Sequence, residues 1–454
     1  GAPLLAVLSV AGPLIWLLLR RRTSPSQATD PLLPVFPAAP KAHETWSMAT
    51  VSGAESQDPP LDRWTPVPLP ESLPEALQAL GSDATRKLLT DPDRRRYAGY
   101  QVLRGAFFLG LRNVSALQSR LLAEGAGADP AATLLTVRPN WNAKAYGSLM
   151  EMLRRDLENI TTGVYRAPYD MDLDHRQFNP FYVLEQMQVM FETVSDTAAL
   201  QVNDGRTQVR ADRPDATGAF PDYYLQNFHF QPGGWLSDRS ARQYEISTET
   251  FMAGLQDVMQ RQGLVPLAEF MASRHEAETK LLEVACGTGR FHTFLKDNYP
   301  QMETVATDLS PNYVAAARDN LRYFREFSKH KGRPIAPVEC VAAAAESLPF
   351  GDEEFDVVVS VYLFHELPAE IRRQCVKEWY RVLKPGGLVV FVDSLQRHDR
   401  PEVIPVLEDF ARVTHEPYYD DYIENDVTPV FKSEGFTFES HRLAWISKAL
   451  AFRK

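Results

Sequence analysis

Apolar and polar positions change their spacing near residue 280. After this point, short apolar runs alternate with amphipathic segments of helical period. The apolar runs are, in chain order, KLLEVACG, TVATDLS, PVECVAAAA, FDVVVSVYLF and GLVVFVDS. Strands that alternate with helices predict a parallel sheet covered by helices on both faces. FTFESHR and WISKALAFR then predict an antiparallel strand pair at the end. The predicted fold class for residues 276–454 is α/β, with a seven-stranded, mostly parallel sheet.

The region from about 75 to 200 has a helical period instead. Asp91 precedes Pro92 and is predicted to cap a helix. A second segment places Leu149, Met152, Leu153 and Leu157 on one face, as a helix does. A third helix is predicted to open at Asn179–Pro180. Residues 75–200 are therefore predicted as a helical region, and residues 201–275 as a connector or lid segment.

An uncharged apolar run, Ala2–Leu19, precedes three arginines at 20–22. Its length is near the lower limit for a membrane-spanning helix, about 17–25 residues. We interpret residues 1–22 as a transmembrane anchor and 23–74, which are rich in proline, as an extended tether. A removable targeting segment is the alternative interpretation of the apolar run. The chain starts at Gly1 rather than Met, which favours processing upstream of an anchor that is retained.

The net charge is −11 and the pI is about 5.5. General nucleic-acid binding requires a basic surface, so we predict no nucleic-acid partner. Three widely spaced cysteines, Cys286, Cys340 and Cys375, form neither a disulfide framework nor a zinc motif, and they fit a reducing compartment. His175, His229, His365 and His415 lack metal-ligand spacing, so no metal is predicted.

The stretch LLEVACGTGR predicts a strand that ends in a glycine turn. Gly287 and Gly289 let the backbone approach a ligand, and the following helix N-terminus favours polar or anionic groups. A dinucleotide fingerprint needs a third glycine, and His292 stands at that position, so pyrophosphate binding is disfavoured. Asp308 ends the second strand, where a carboxylate can bind both ribose hydroxyls.

Two further motifs are AAAAESLPFGDEEFD and RVLKPGG, in which Gly386–Gly387 are predicted to stop the helix before the fifth strand. Taken together, the motifs of Leu281–Ser394 resemble the Rossmann-like class I S-adenosylmethionine-dependent methyltransferases. They look most like the group that includes ubiquinone- and menaquinone-type C-methyltransferases. The stretch GGWLSDRSARQYEISTETFMAGLQDVMQRQ is similar to uncharacterised methyltransferase-like proteins of cyanobacteria and plant plastids.

The resemblance implies that S-adenosylmethionine is the cofactor. The glycine turn would pass under its methionine portion, Glu283 would stabilise that loop or the bound amino group, and Asp308 would hold the ribose. The implied cofactor-binding residues are Glu283, Ala285, Gly287, Gly289, Asp308, Leu309, Ala345 and Glu346. Ala344 departs from the common pattern, which has an aspartate that accepts the adenine amino group. Ala285 also replaces a frequent glycine.

Residues that contact a methyl acceptor are expected where the strands end. Tyr362, His365 and Glu366 follow the fourth strand and are the candidate catalytic residues; His365 is suited to act as a base, or is an ordinary loop histidine. Two aromatic segments are candidate lids, with a packed connector and an exposed loop as the alternatives. Their candidate pocket residues are Tyr223, Tyr224, Asn227, His229, Trp235, Arg239 and Tyr244 in the first, and Tyr418, Tyr419 and Tyr422 in the second.

The sequence supports two main hypotheses. The first is a membrane-anchored methyltransferase whose partner is a small, possibly lipophilic acceptor such as a quinone or pigment intermediate. The second is a non-catalytic accessory subunit of a photosynthetic or respiratory membrane complex, held there by other subunits. Methylation of protein or nucleic acid is a weaker third. We expect an organelle membrane, with the plastid or thylakoid favoured and the mitochondrial inner membrane second.

Overall fold

The computed structural model describes residues 90–127, 143–202, 218–400 and 403–454. The predicted anchor at 1–22 and the predicted tether at 23–74 lie outside these ranges. Among the helices within the ranges, none combines the length and the hydrophobicity that a membrane crossing requires.

Seven strands form one sheet in the order β3-β2-β1-β4-β5-β7-β6. The first five strands pair in parallel, whereas β7 runs antiparallel to both β5 and β6. Their bounds are β1 Lys280–Val284, β2 Glu303–Asp308, β3 Val338–Ala342, β4 Phe355–Val361, β5 Leu383–Ser394, β6 Thr437–Ala444 and β7 Ser447–Arg453. The predicted mixed sheet with an antiparallel C-terminal pair is confirmed.

Helices surround the sheet and form the region before it. The N-terminal helices are α1 Pro92–Gly125, α2 Ala143–Thr161 and α3 Pro180–Val202. The connector holds α4 Asp238–Phe251, α5 Gln256–Arg261 and α6 Leu264–Met271. The sheet region adds α7 Arg290–Asn298, α8 Pro311–His330, α9 Ala369–Val382, α10 Ile404–Thr414, α11 Tyr419–Glu424 and α12 Thr428–Ser433.

Both faces of the sheet are buried, which explains why its central strands are apolar without alternation. In β4, six of seven residues are buried, and only Asp356 is partly exposed. One face packs Phe391 against Trp379 and Phe431. The opposite face packs Leu281 and Val390 together with the aromatic residues of α7. The carboxyl ends of β1, β2 and β4 therefore meet at one edge of a rigid layer.

The predicted helix starts agree with the structure. Asp91 Oδ1 accepts a hydrogen bond from the backbone N–H of Asp93 at 2.9 Å, and α1 begins at Pro92. Asn179 Oδ1 accepts from the N–H of Phe181 at 3.0 Å at the start of α3. Short side-chain acceptors satisfy N–H groups that the first turn of a helix leaves without a partner.

The predicted helix stop at Gly386–Gly387 is wrong. Helix α9 ends at Val382, and both glycines lie inside β5, at a register irregularity opposite Phe355–Val357. The Gly386 N–H donates to the Lys454 carbonyl at 3.0 Å. Gly386 has φ +74°, a left-handed conformation that glycine adopts without strain. The glycines thus form a bulge that β7 stabilises.

A buried ion-pair network joins the helical region to the sheet. Arg104 on α1 pairs with Glu249 at 2.5 Å and with Asp257 at 2.8 Å. Asp257 also pairs with Arg290, at the start of α7, at 2.6 Å, and Arg290 pairs with Asp170 at 2.5 Å. Charges this deeply buried require partners, so the network fixes α1, α4 and α5 against the helix that follows the glycine turn.

Candidate active site

The glycine turn after β1 has a left-handed backbone at three positions. Ala285 has φ +56°, Gly287 +56° and Gly289 +75°. A Cβ atom on Gly289 would lie 3.3 Å from Ala317 Cβ, so this glycine allows α7 and α8 to approach each other. A Cβ on Gly287 would meet only Tyr244 Cε1 within 4 Å, at 3.8 Å. Gly287 therefore leaves room beside the turn, and Gly289 serves helix packing.

Asp308 stabilises the turn from the neighbouring strand. Its Oδ2 accepts a hydrogen bond from the N–H of Gly287 at 2.9 Å, and its Oδ1 accepts from the N–H of Ser310 at 2.8 Å. Burial raises the pKa of Asp308 to about 7, although both hydrogen bonds act to lower it. The carboxylate lies at the end of β2, as the sequence predicts.

Glu283 occupies the end of β1 and faces a histidine. Its Oε2 lies 2.7 Å from His292 Nδ1, and His292 Nε2 lies 2.9 Å from Thr304 Oγ1. Burial raises the pKa of Glu283, while the hydrogen bond with His292 opposes the rise. Glu283 thus stabilises the junction between β1 and α7.

A cleft of about 890 Å³ opens above the turn. Seven of the eight predicted cofactor residues line it, all except Gly289. Tyr223 closes one side, and its hydroxyl donates to Glu346 Oε1 at 2.7 Å. Glu346 Oε2 is buried, and no described residue donates a hydrogen bond to it. Glu346 thus lines the cleft at the edge that the sequence assigns to adenine, and it retains an unused acceptor oxygen.

A second, mostly apolar cavity adjoins the cleft, and its space, including the part open to solvent, is about 1440 Å³. Tyr244, Tyr362 and Glu366 line both spaces and form their common wall. The apolar lining includes Phe251, Met252, Leu407, Phe410, Trp445 and Ile446. His365 and Tyr419 also line this second space. The arrangement places a mostly apolar chamber, open on one side, directly beside the cleft.

His365 is held by an aspartate that the sequence analysis did not single out. His365 Nδ1 lies 2.6 Å from Asp393 Oδ1, and Asp393 Oδ2 accepts from the N–H of Phe364 at 2.8 Å. Burial lowers the pKa of His365, but Asp393 outweighs it and the pKa rises to about 9. Asp393 lies near the end of β5. The apolar run before it predicted a buried strand, and a carboxylate at the end of such a strand was the signal for a site residue.

A second cluster joins three separate segments at the common wall. His229 Nε2 lies 3.0 Å from Glu416 Oε1 and 3.6 Å from Glu366 Oε1. Burial lowers the pKa of His229, but Glu416 and Glu366 raise it to about 10. The sequence shows no ligand spacing here, because the three residues meet only in the folded chain. Glu416 lies in the second predicted lid, where only the tyrosines were singled out.

The other predicted pocket residues divide between the two spaces. Tyr223, Tyr224, Trp235 and Tyr244 line the cleft, whereas His229 and Tyr419 line the apolar cavity. The remaining four, Asn227, Arg239, Tyr418 and Tyr422, line neither space.

Those four residues have structural contacts instead. Arg239 is half exposed and pairs with Asp196. Asn227 Oδ1 accepts from the N–H of Gly234 at 3.0 Å, and the Tyr422 hydroxyl donates to the Ser394 carbonyl at 2.7 Å. The Tyr418 hydroxyl donates to the Tyr223 carbonyl at 3.4 Å, which connects the second predicted lid to the first.

Comparison with known proteins agrees with this geometry. Residues 282–391 match the sequence profile of a family described as methyltransferase domain. A demethylmenaquinone methyltransferase of Listeria welshimeri is 30% identical over 27% of this chain and 48% of its own length. An uncharacterized methyltransferase of Synechocystis sp. is 28% identical over 35% of this chain and 66% of its own length.

Among solved structures, a SAM-dependent methyltransferase from Aquifex aeolicus aligns with a TM-score of 0.34 and 16% identity, covering 48% of this chain and 98% of that one. The chain spans about half the length of the curated relatives that it matches first. The matched segment contains the glycine turn, Asp308, Glu346 and two residues of the common wall, Tyr362 and Glu366; Tyr244 lies before it. By this match, residues 282–391 are a methyltransferase domain.

Proposed function

We propose that the chain is a methyltransferase that transfers a methyl group from S-adenosylmethionine to a small, largely apolar molecule. The observation that carries the proposal is the common wall of Tyr244, Tyr362 and Glu366. It separates a cleft with the predicted cofactor-binding residues from a mostly apolar chamber. A donor site beside such a chamber suits a displacement reaction that depends on alignment and exclusion of water.

The residues of the cleft fit S-adenosylmethionine, which supplies an electrophilic methyl group on a sulfonium when bound. Asp308 ends β2 with a carboxylate that can accept hydrogen bonds from two ribose hydroxyls. Glu346 Oε2 is buried without a donor among the described residues, and an adenine amino group supplies such a donor. Glu346 thereby replaces the acceptor that Ala344 cannot provide.

The apolar chamber indicates the class of acceptor. Its walls suit an aromatic or aliphatic body, while His365, Glu366 and Tyr362 supply polar groups on the side of the cleft. Because Nδ1 of His365 is engaged by Asp393, Nε2 is the nitrogen that can take a proton from an acceptor when the ring is neutral, which it is above its pKa of about 9. We therefore propose a quinone- or pigment-like acceptor. The Listeria relative, named for demethylmenaquinone, supports the quinone class.

Calorimetric titration of the chain with S-adenosylmethionine tests the donor half of the proposal. We expect one binding event that Asp308→Ala weakens at least about tenfold, because the ribose loses its acceptor. The matched control is Asp319→Ala, whose carboxylate is exposed on α8. Absence of binding by the wild type at millimolar cofactor contradicts the proposal. Transfer of a labelled methyl group to a panel of quinols and hydroxylated aromatics then tests the acceptor half.

We also propose that residues 1–22 anchor the enzyme to an organelle membrane. An apolar acceptor partitions into lipid, so an anchor would place the chamber near its supply. Carbonate extraction of plastid and mitochondrial membranes that contain the chain tests this proposal. Retention in the membrane pellet is the expected result, and release of the intact chain would count against an anchor.

The second candidate function is that of a non-catalytic subunit of a membrane complex. An exposed row on α1 favours it: Val102, Leu103, Leu117 and Leu121 are 58–70% exposed. Exposed apolar patches are common at protein interfaces. Gentle solubilisation followed by size-exclusion chromatography distinguishes the two functions. Co-elution with other subunits, without cofactor binding, would favour the second; an isolated chain that binds the cofactor favours the first.

A further inference from the structure

Three side chains at the common wall are arranged as ligands of one ion. His229 Nε2, one carboxylate oxygen of Glu366 and one of Glu416 all lie within 4.8 Å of one another. The two separations from His229 are 3.0 Å and 3.6 Å. Ligand atoms about 2.0–2.2 Å from a single ion lie about 2.8–3.6 Å from each other, so both separations from His229 already suit coordination of one ion.

Glu416 provides an independent indication of a ligand. Its side chain is fully buried, and neither carboxylate oxygen accepts a hydrogen bond from any described residue. Buried polar atoms are normally satisfied, because the cost of removing them from water is otherwise not offset. His229 forms an ion pair with Oε1 of Glu416. Both Oε1 and Oε2 can still accept hydrogen bonds or bind a cation. A cation at this place would coordinate the carboxylate.

The charges and the open side of the cluster also fit an ion. Metal binding displaces the proton of a ligating imidazole, and two carboxylates with the resulting neutral ring carry a charge that a divalent cation offsets. Glu366 and His229 line the apolar cavity, where their side chains are 16% and 20% exposed. Three protein ligands with one open side leave positions for water or a bound molecule, as catalytic metal sites do.

We propose that His229, Glu366 and Glu416 form a divalent metal site in the wall between the cleft and the apolar cavity. One imidazole and two carboxylates suit Mn²⁺ or Zn²⁺. An ammonium group is a poorer occupant. The ring nitrogen of His229 lies close to both carboxylates, so an ammonium group that paired with them would also face this nitrogen. The metal ion instead uses that nitrogen as a ligand.

The site also specifies the acceptor, a consequence that rests on the proposed methyltransferase function. A metal ion with open positions at the cavity surface would bind a hydroxyl or carbonyl oxygen, and it would favour the deprotonated form of a hydroxyl. The acceptor is therefore expected to carry such an oxygen near the atom that is methylated. A quinol or hydroxylated aromatic has this chemistry, whereas a pure hydrocarbon does not.

Titration of the EDTA-treated full chain with MnCl2, MgCl2 or ZnCl2, without S-adenosylmethionine, tests the site. We expect one bound ion per chain, with Zn²⁺ bound more tightly than Mn²⁺. His229→Ala and Glu416→Gln are expected to weaken binding at least about tenfold, and Glu416→Asp to weaken it less because a ligand oxygen remains. Matched controls are His330→Ala and Glu326→Gln, both exposed on α8.

Two outcomes of the metal titration would contradict the proposed site. Ion binding that is equal in the wild type and both ligand variants would overturn the site, as would no binding by the wild type at millimolar ion. Circular dichroism confirms that each variant is folded, and Glu366→Gln replaces any variant that is not. Because calorimetry with S-adenosylmethionine is a separate measurement, failure of the metal site is distinguishable from failure of the methyltransferase proposal.

Discussion

His292 Nδ1 lies 2.7 Å from Glu283 Oε2, and both side chains are fully buried. His292 stands where a dinucleotide fingerprint has its third glycine. A glycine there would leave the Glu283 carboxylate without this partner. The departure from the fingerprint therefore has a structural cause: the histidine joins the first helix of the sheet region to the strand that carries the glycine turn.

Replacement of His292 by alanine is expected to destabilise the fold. The buried carboxylate of Glu283 loses its partner, which costs about 3 kcal/mol. Urea denaturation of the wild type and His292→Ala measures the difference in the free energy of unfolding. The double variant His292→Ala with Glu283→Gln should lose less free energy of unfolding than the two single variants lose together, because the partners act as a pair. Strict additivity would show that they do not.

Binding of S-adenosylmethionine is expected to depend on pH through Asp308. Its pKa is raised to about 7 by burial, so the carboxylate is mostly protonated at pH 6 and mostly ionised at pH 8. If the ribose hydroxyls bind the ionised form, the Kd at pH 6 is about tenfold higher than at pH 8. Calorimetry across this range measures it, and Asp308→Asn should bind weakly with a flat profile. If the Kd of Asp308→Asn depended on pH as strongly as that of the wild type, the pH dependence would belong to another group.

Glu346→Ala is expected to weaken cofactor binding by about fivefold to tenfold, which corresponds to the loss of one hydrogen bond of about 1 kcal/mol. The reason is the loss of Oε2, the buried acceptor assigned to the adenine amino group. Inosine- and adenosine-containing analogues distinguish this contact from a general effect. The wild type should prefer the amino-bearing analogue, and Glu346→Ala should not. An unchanged preference in the variant would remove Glu346 from the adenine contact.

Methyl transfer is expected to require the pair of His365 and Asp393. Above pH 9, where the His365 ring is neutral, His365→Asn should lower kcat by about a hundredfold, because proton removal from the acceptor loses its base, while the Kd for S-adenosylmethionine stays the same. Asp393 acts as a positioning residue, so Asp393→Asn should lower kcat without changing cofactor affinity. Steady-state kinetics with the first acceptor found in the panel measures both. Full activity in His365→Asn would make His365 a packing residue.

Much of the sheet was predictable because its signals are local. Each buried strand is a continuous apolar run, and a helix start such as Asp91–Pro92 depends on neighbouring residues alone. The exception at Gly386–Gly387 is instructive. Glycine after a helical segment commonly ends a helix, but here the backbone of Lys454, from the far end of the chain, incorporates these glycines into a strand. Long-range pairing overrode a local signal.

The site was predictable only in part, for the same physical reason. Asp308 and Glu346 follow strands whose ends meet in any parallel sheet, so their positions followed from topology. The pairing of His229 with Glu416 depends on how two loops fold over the sheet edge. Nothing in either segment specifies the other, and Glu416 itself carries no distinctive motif. Asp393 was likewise hidden within an apolar strand.

The ion pairs of Arg104, Asp257, Arg290 and Asp170 have an evolutionary consequence. They make the helical region and the domain that it contacts dependent on each other, since separation would leave buried charges without partners. Exchange of either part for a homologous module from another protein should therefore fail unless the other part is exchanged with it. The helical region and the sheet are expected to be inherited together, and to diverge by compensating changes on both sides.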